Sequence, residues 1–244
     1  MRLLACIFSI VLATSVSAFA ESTKHILVFG DSNSWGWTPV STGFPTVRLD
    51  PSRAWPGIMA QELGASYVVS VDALSGRTVD VDYSTAIGSV PGTGLNGKTA
   101  LPAAIAREMP LDLVVVMLGT NDVRSDLHRS PEQIATGLRQ LSDLVTGSAG
   151  GVLTTYPAPK VLIVVPPAVG DTSGTPINQI MTGASAKSLA LPAAVSTALE
   201  GTKATVFDAT KAITVHGLDG VHLTEADHAV LGKALANDVR LVLQ

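Results

Sequence analysis

Thiols are almost absent from this chain: its single cysteine, Cys6, stands near the start. Aromatic residues make up 5% of the 244 and charged residues 15%, and Lys and Arg nowhere gather into a run. Each scarcity excludes something. One cysteine allows no intrachain disulfide and no zinc site built on several thiolates. A formal net charge of −4 without a basic patch gives a phosphate backbone nothing to hold, so no nucleic-acid partner is expected.

Apolar residues, by contrast, are plentiful at 46%, enough for a sizeable core and too many for a disordered chain. Arg2 precedes the apolar run Leu3 to Val16, and Ser17-Ala18-Phe19-Ala20 ends in the Ala-x-Ala form of a signal-peptidase site. The run is too short to span a bilayer comfortably. We therefore expect a signal peptide over residues 1–20 and one exported domain over 21–244, periplasmic or extracellular, with no membrane span after cleavage. Cys6 would leave with the leader, and cysteine catalysis with it. Its apolar stretch follows the cysteine rather than preceding it, the reverse of a lipoprotein box.

Beyond the leader, apolar runs alternate with helix-like segments. Ile26–Phe29, Tyr67–Val71, Leu111–Leu118, Val161–Val165 and Thr205–Phe207 read as strands. The third and fourth are nearly continuous apolar runs, as in strands buried on both faces of a parallel sheet. Ala54–Leu63, Leu101–Met109, Pro131–Val145, Ala184–Leu199 and Glu225–Leu243 read as helices, with Ser130-Pro131 and Thr224-Glu225 as starts. The Gly-, Ser- and Thr-rich stretch Ser84–Gly97 and the Pro-containing Pro166–Gly183 read as loops. This order predicts a three-layer α/β/α domain around a flavodoxin-like, doubly wound parallel sheet of about five strands.

Polar clusters recur where the strands end. Gly30-Asp31-Ser32 follows the first strand, Leu74-Ser75-Gly76-Arg77 the second and Gly119-Thr120-Asn121-Asp122 the third, while Asp219-Gly220-Val221-His222 follows the fifth. Open parallel sheets bind ligands at that edge. A serine becomes nucleophilic when a base takes its proton and an acid orients the base. Ser32 at the first strand, with His222 and Asp219 in the last loop, makes such a set if the fold brings the chain's ends together.

These blocks resemble the SGNH hydrolase superfamily, the GDSL-type esterases, over essentially all of residues 21–244. The stretches Gly30 to Trp37, Met117 to Asp122 and Thr154 to Leu162 resemble the bacterial arylesterase/acyltransferase branch. The resemblance implies a serine esterase acting on short-chain acyl and aryl esters through an acyl-enzyme, with Ser32, His222 and Asp219 catalytic. It also implies an oxyanion hole of the Ser32 and Gly76 N–H groups and the Asn121 amide, no cofactor or metal, and a small ester substrate. Acyl transfer to alcohols or hydrogen peroxide is implied where the pocket excludes water. Asn33 stands where the name-giving block has Leu, a position expected to border the pocket and tune preference. Trp35, Trp37, Thr120, Arg124 and Val221 are further candidates for substrate contact.

Other readings stay open at this level. Ser32 suits a turn, and Asp31 and Asp122 are rival acids, each better suited to holding its own loop through backbone N–H groups. Asp219, His222, His216 and His228 are chemically suitable zinc ligands, although they are spread over a loop and a helix. Trp55 reads as core, and Arg77 as either a substrate contact or half of an ion pair. On the same scaffold a carbohydrate acetylesterase, a thioesterase or a lysophospholipase would carry the same blocks. An exported binding protein would have lost a triad member, and none is missing here. A homo-oligomer is compatible with all of these.

Overall fold

The computed structural model describes residues 22–44 and 46–244; the expected leader lies outside the described residues. Five strands form one parallel sheet: β1 (Lys24–Gly30), β2 (Tyr67–Ala73), β3 (Leu113–Met117), β4 (Lys160–Val165) and β5 (Thr205–Asp208). Their spatial order is β2-β1-β3-β4-β5, the flavodoxin-like order expected from the alternating elements. The order reverses between β1 and β3, and a crevice opens there at the carboxyl ends of the strands.

The near-continuous apolar runs do bury both faces. Leu27, Phe29, Val114, Val116, Ile163 and Val165 point into one core, against α3 (Gly97–Glu108), α4 (Pro131–Thr146) and α6 (Ala184–Ala198). The alternate residues Ile26, Val28, Leu113, Val115, Leu162 and Val164 point into a second core, under α2 (Trp55–Leu63) and α7 (Glu225–Leu243). A strand's period of two divides one apolar run between two cores. Trp55, fully buried in the second, is the core residue expected. Among the described residues no helix is long and apolar enough to cross a membrane.

The structure departs from the sequence reading at short elements. Helix α3 begins at Gly97 rather than Leu101, because Asn96 caps it by accepting the Thr99 N–H at 3.3 Å. Pro102 therefore lies inside the helix rather than in its first turn. Ser32 is not in an open turn: it begins the one-turn helix α1 (Ser32–Trp35), capped by the Asp31 carboxylate and closed by Gly36 at φ +92°. Ser84–Gly97 contains a 3-10 turn at Gly92–Leu95, and Pro166–Gly183 contains the short helix α5 (Asn178–Met181).

Candidate active site

Asp31 ends the first strand's loop by accepting the Asn33 N–H at 3.0 Å, which sets the N-terminus of α1 and the direction of Ser32. The approach is tight. A Cβ on Gly30 would lie 2.1 Å from the Ser34 hydroxyl, so only glycine lets the strand turn into α1 here. As first residue of a helix, Ser32 has an N–H with no intrahelical acceptor. At the other end of the chain, Gly220 adopts φ +73° and packs against the Asp171 carbonyl, where a Cβ would come within 2.2 Å. That glycine seats the 219–222 loop against the segment following β4.

The loop and α1 meet. The Ser32 Oγ stands 3.0 Å from His222 Nε2, and His222 Nδ1 stands 2.8 Å from Asp219 Oδ2. A carboxylate only accepts, so Nδ1 carries the proton and Nε2 is left to accept from the serine. Asp219 Oδ1 also takes the N–H groups of Val221 at 2.9 Å and His222 at 2.8 Å. Burial alone would raise this carboxyl; the imidazole and the two backbone N–H groups outweigh it and hold Asp219 below the usual carboxylate range. It therefore stays ionised at neutral pH.

The rival acids hold loops instead. Asp122 accepts the Val79 N–H at 3.0 Å and the Arg129 guanidinium at 2.7 Å. Burial raises Asp122 to about 6 against the pull of Arg129, and raises Asp31 to about 7 against the Asn33 N–H. Arg77 forms an ion pair with Asp72 at 2.8 Å, donates to the Gly30 carbonyl and lies 4.1 Å over the Phe29 ring. That is the ion-pair reading of Arg77. His216 and His228 do not converge on Asp219: His216 pairs with Asp227 at 2.7 Å, and His228 accepts the Trp55 N–H at 3.2 Å.

A cavity of about 150 Å³ opens over the serine, lined by Ser32, Gly76, Asn121 and His222 together with Trp37, Arg124 and Val221. Asn121 Nδ2 donates one hydrogen to the Arg77 carbonyl at 3.0 Å, which aims the amide and leaves its second hydrogen free for a ligand. Gly76 adopts φ +85°, and its carbonyl is held by the Tyr83 hydroxyl at 2.9 Å. Trp37 stacks on the His222 ring at 5.0 Å between centroids. Arg124 lies 5.0 Å over the Tyr83 ring and pairs with Asp126.

Three of the expected substrate contacts are placed differently. Trp35 packs under the Arg48 guanidinium, and Thr120 is buried; neither lines the cavity. Asn33 does not line it either, since both ends of its amide are engaged by the His222 loop. Sequence reasoning missed the apolar side of the wall. Phe44, Ile87, Ile177, Ile180 and Met181 come from three separate segments, two of them irregular and the third carrying only the one-turn α5, so no periodicity marks them.

A serine, an imidazole and a carboxylate in hydrogen-bonded series at the carboxyl edge of a flavodoxin-like sheet define a hydrolase of the SGNH class. Residues 28–230 match the profile of the GDSL-like lipase/acylhydrolase family, and the chain belongs to that family. It is similar to an aryl esterase from M. smegmatis, with 44% identity and a TM-score of 0.85 over 90% of this chain and 100% of that one. A carbohydrate acetylesterase from Sinorhizobium meliloti superposes with a TM-score of 0.84 and 39% identity, again over 90% and 100% of the two chains. An arylesterase from Vibrio mimicus is 28% identical over 150 residues, 60% of this chain; the match spans 61% of that relative's length.

Proposed function

We propose that the chain is a serine ester hydrolase for short acyl and aryl esters. The observation that carries this reading is the unbroken series from Ser32 through His222 to Asp219, opening into a small, mostly apolar cavity. Ser32 Oγ attacks the ester carbonyl carbon while His222 Nε2 takes its proton. The Ser32 and Gly76 N–H groups and the free Asn121 hydrogen receive the negative oxygen of the tetrahedral intermediate, a term typically worth about 2.7–4 kcal/mol per donor. The intermediate collapses, the leaving alkoxide takes the proton from His222, and an acyl-Ser32 ester remains. Water, deprotonated by the same imidazole, releases the acid.

The cavity volume favours acetyl and other short acyl groups, and walls such as Trp37, Ile180 and Met181 favour an apolar or aromatic partner. The likeness to a carbohydrate acetylesterase supports a second reading, an acetylated sugar as substrate. Hydrolysis of p-nitrophenyl esters from acetate to octanoate, beside peracetylated xylose, separates these. We expect turnover to fall with acyl length and to drop by at least ~10⁴-fold in Ser32→Ala. Preference for the sugar acetate selects the second reading, and a fully active Ser32→Ala refutes both. Acyl transfer belongs to the same proposal: added alcohol should divert acyl-enzyme to a new ester. Export is proposed from the leader-like residues 1–20, and N-terminal sequencing of secreted protein should begin at Glu21.

A further inference from the structure

Asn33 follows the nucleophile directly, and its side chain is almost wholly buried, at 1% exposure. Its Nδ2 donates to the Val221 carbonyl at 3.2 Å, and its Oδ1 accepts the Leu223 N–H at 3.1 Å. Those two residues flank His222. The amide thus presents the donor and acceptor that a neighbouring strand would, and it takes hold of the backbone on both sides of the imidazole.

Asp219 cannot do this work. It orients the imidazole and binds the Val221 and His222 N–H groups, but it belongs to the same loop and so fixes that loop only internally. Registering the loop against the serine requires a directional tie to α1. Asn33 lies on α1 itself, 188 residues from Val221 in sequence. The Trp37 ring also touches His222, but a stacked contact tolerates sliding that two hydrogen bonds do not.

We propose that Asn33 is a positioning residue that sets the Ser32–His222 distance by clamping the backbone on either side of His222. The proposal rests on the reading of Ser32 and His222 as nucleophile and base. Leu has nearly the shape of Asn and stands at this position in the name-giving block, yet it can make neither bond. A base held about 1 Å out of place costs on the order of 10²-fold in rate. Asn33→Leu should therefore lower kcat on p-nitrophenyl acetate by about 10–100-fold while KM stays within about twofold.

The same substitution in a His222→Ala background provides the reading that mere structural damage would not. Residues acting through one group are non-additive. With the base gone, Asn33→Leu should change the residual rate by less than about twofold. A wild-type kcat in Asn33→Leu, a raised KM with kcat unchanged, or an equal loss in the His222→Ala background each overturns the proposal. If Asn33→Leu does not fold, Asn33→Asp keeps the acceptor for Leu223 and removes the donor to Val221; wild-type kcat there overturns it equally. Ser32→Ala in the same assay separates the two ideas. An active Ser32→Ala refutes the catalytic reading and the clamp together, whereas an inactive Ser32→Ala beside a fully active Asn33→Leu refutes the clamp alone.

Discussion

Asp31 illustrates how much one residue next to the proposed nucleophile can carry. Its Oδ1 caps α1, while its Oδ2 is buried without a hydrogen-bond partner among the described residues. Burial raises the carboxyl from 3.8 to about 7, with the Asn33 N–H pulling the other way. A folded-state value above the unfolded one gives stability that is fully present below 3.8 and lost as pH rises through about 7. Asn caps a helix as well as Asp does and has no charge to bury. Asp31→Asn should thus gain on the wild type across pH 4 to 7, by a few kcal/mol in all, and hold that gain above pH 7. Urea unfolding at pH 5 and pH 8 checks this; a gap between the two proteins that does not change with pH would refute the buried-acid account. Asp31 was legible in the sequence as a loop-holding acid. Its missing partner was not, because that depends on what the fold packs over it.

Helix α2 shows the same division among elements. Its cap position, Ala54, offers no side-chain acceptor, and Pro56 follows in the first turn. The Trp55 N–H is met instead by Nδ1 of His228, a residue of α7. Two helices far apart in sequence thus share one terminus. Burial lowers His228 from 6.5 to about 4, so the folded ring is neutral and able to accept. As pH falls from 6.5 towards 4, the unfolded chain binds a proton that the folded chain refuses, and this group's contribution declines by up to about 3 kcal/mol. His228→Leu orphans the Trp55 N–H and should cost about 1–3 kcal/mol at pH 7. That cost should shrink or reverse by pH 4.5, where the wild type has lost most of the benefit. Denaturant unfolding at the two pH values decides; an equal cost at both would remove His228 from the acid response. The sequence marked α7 by its Thr224 start and apolar spacing, but a shared helix terminus has no local signature.

For the whole molecule, the decisive fact is that the sheet is covered on both faces. Leu162 and Ile163 are neighbours on β4, and they enter opposite cores. In a sheet with one wet face, truncating one of them would be nearly free. Here Leu162→Ala and Ile163→Ala should each cost about 2–5 kcal/mol in thermal or denaturant unfolding. Val206 on the edge strand β5, 36% exposed, should cost under about 1 kcal/mol when truncated. A negligible loss at either β4 position would contradict the three-layer arrangement. All three variants should keep wild-type kcat well below their melting temperatures, because the site stands beyond the carboxyl ends of the strands.

The amino-acid sequence by itself determined the strand–helix alternation, the parallel sheet and the four polar blocks at its edge. Each is written in local patterns: apolar runs of strand length, helix-start residues, and short motifs that fall where strands end. It also marked Ser32, Asp219 and His222 as a set, since nucleophile, base and acid are distinctive residue types. Only the tertiary structure decided that Oγ and Nε2 stand 3.0 Å apart across 190 residues, and which loop residues wall the cavity. It also moved Asn33 from the substrate to the backbone around His222. A side-chain amide reads the same in sequence whether it meets a ligand or a distant peptide. Which of the two it meets is settled by where the folded chain brings residue 221 back to residue 33.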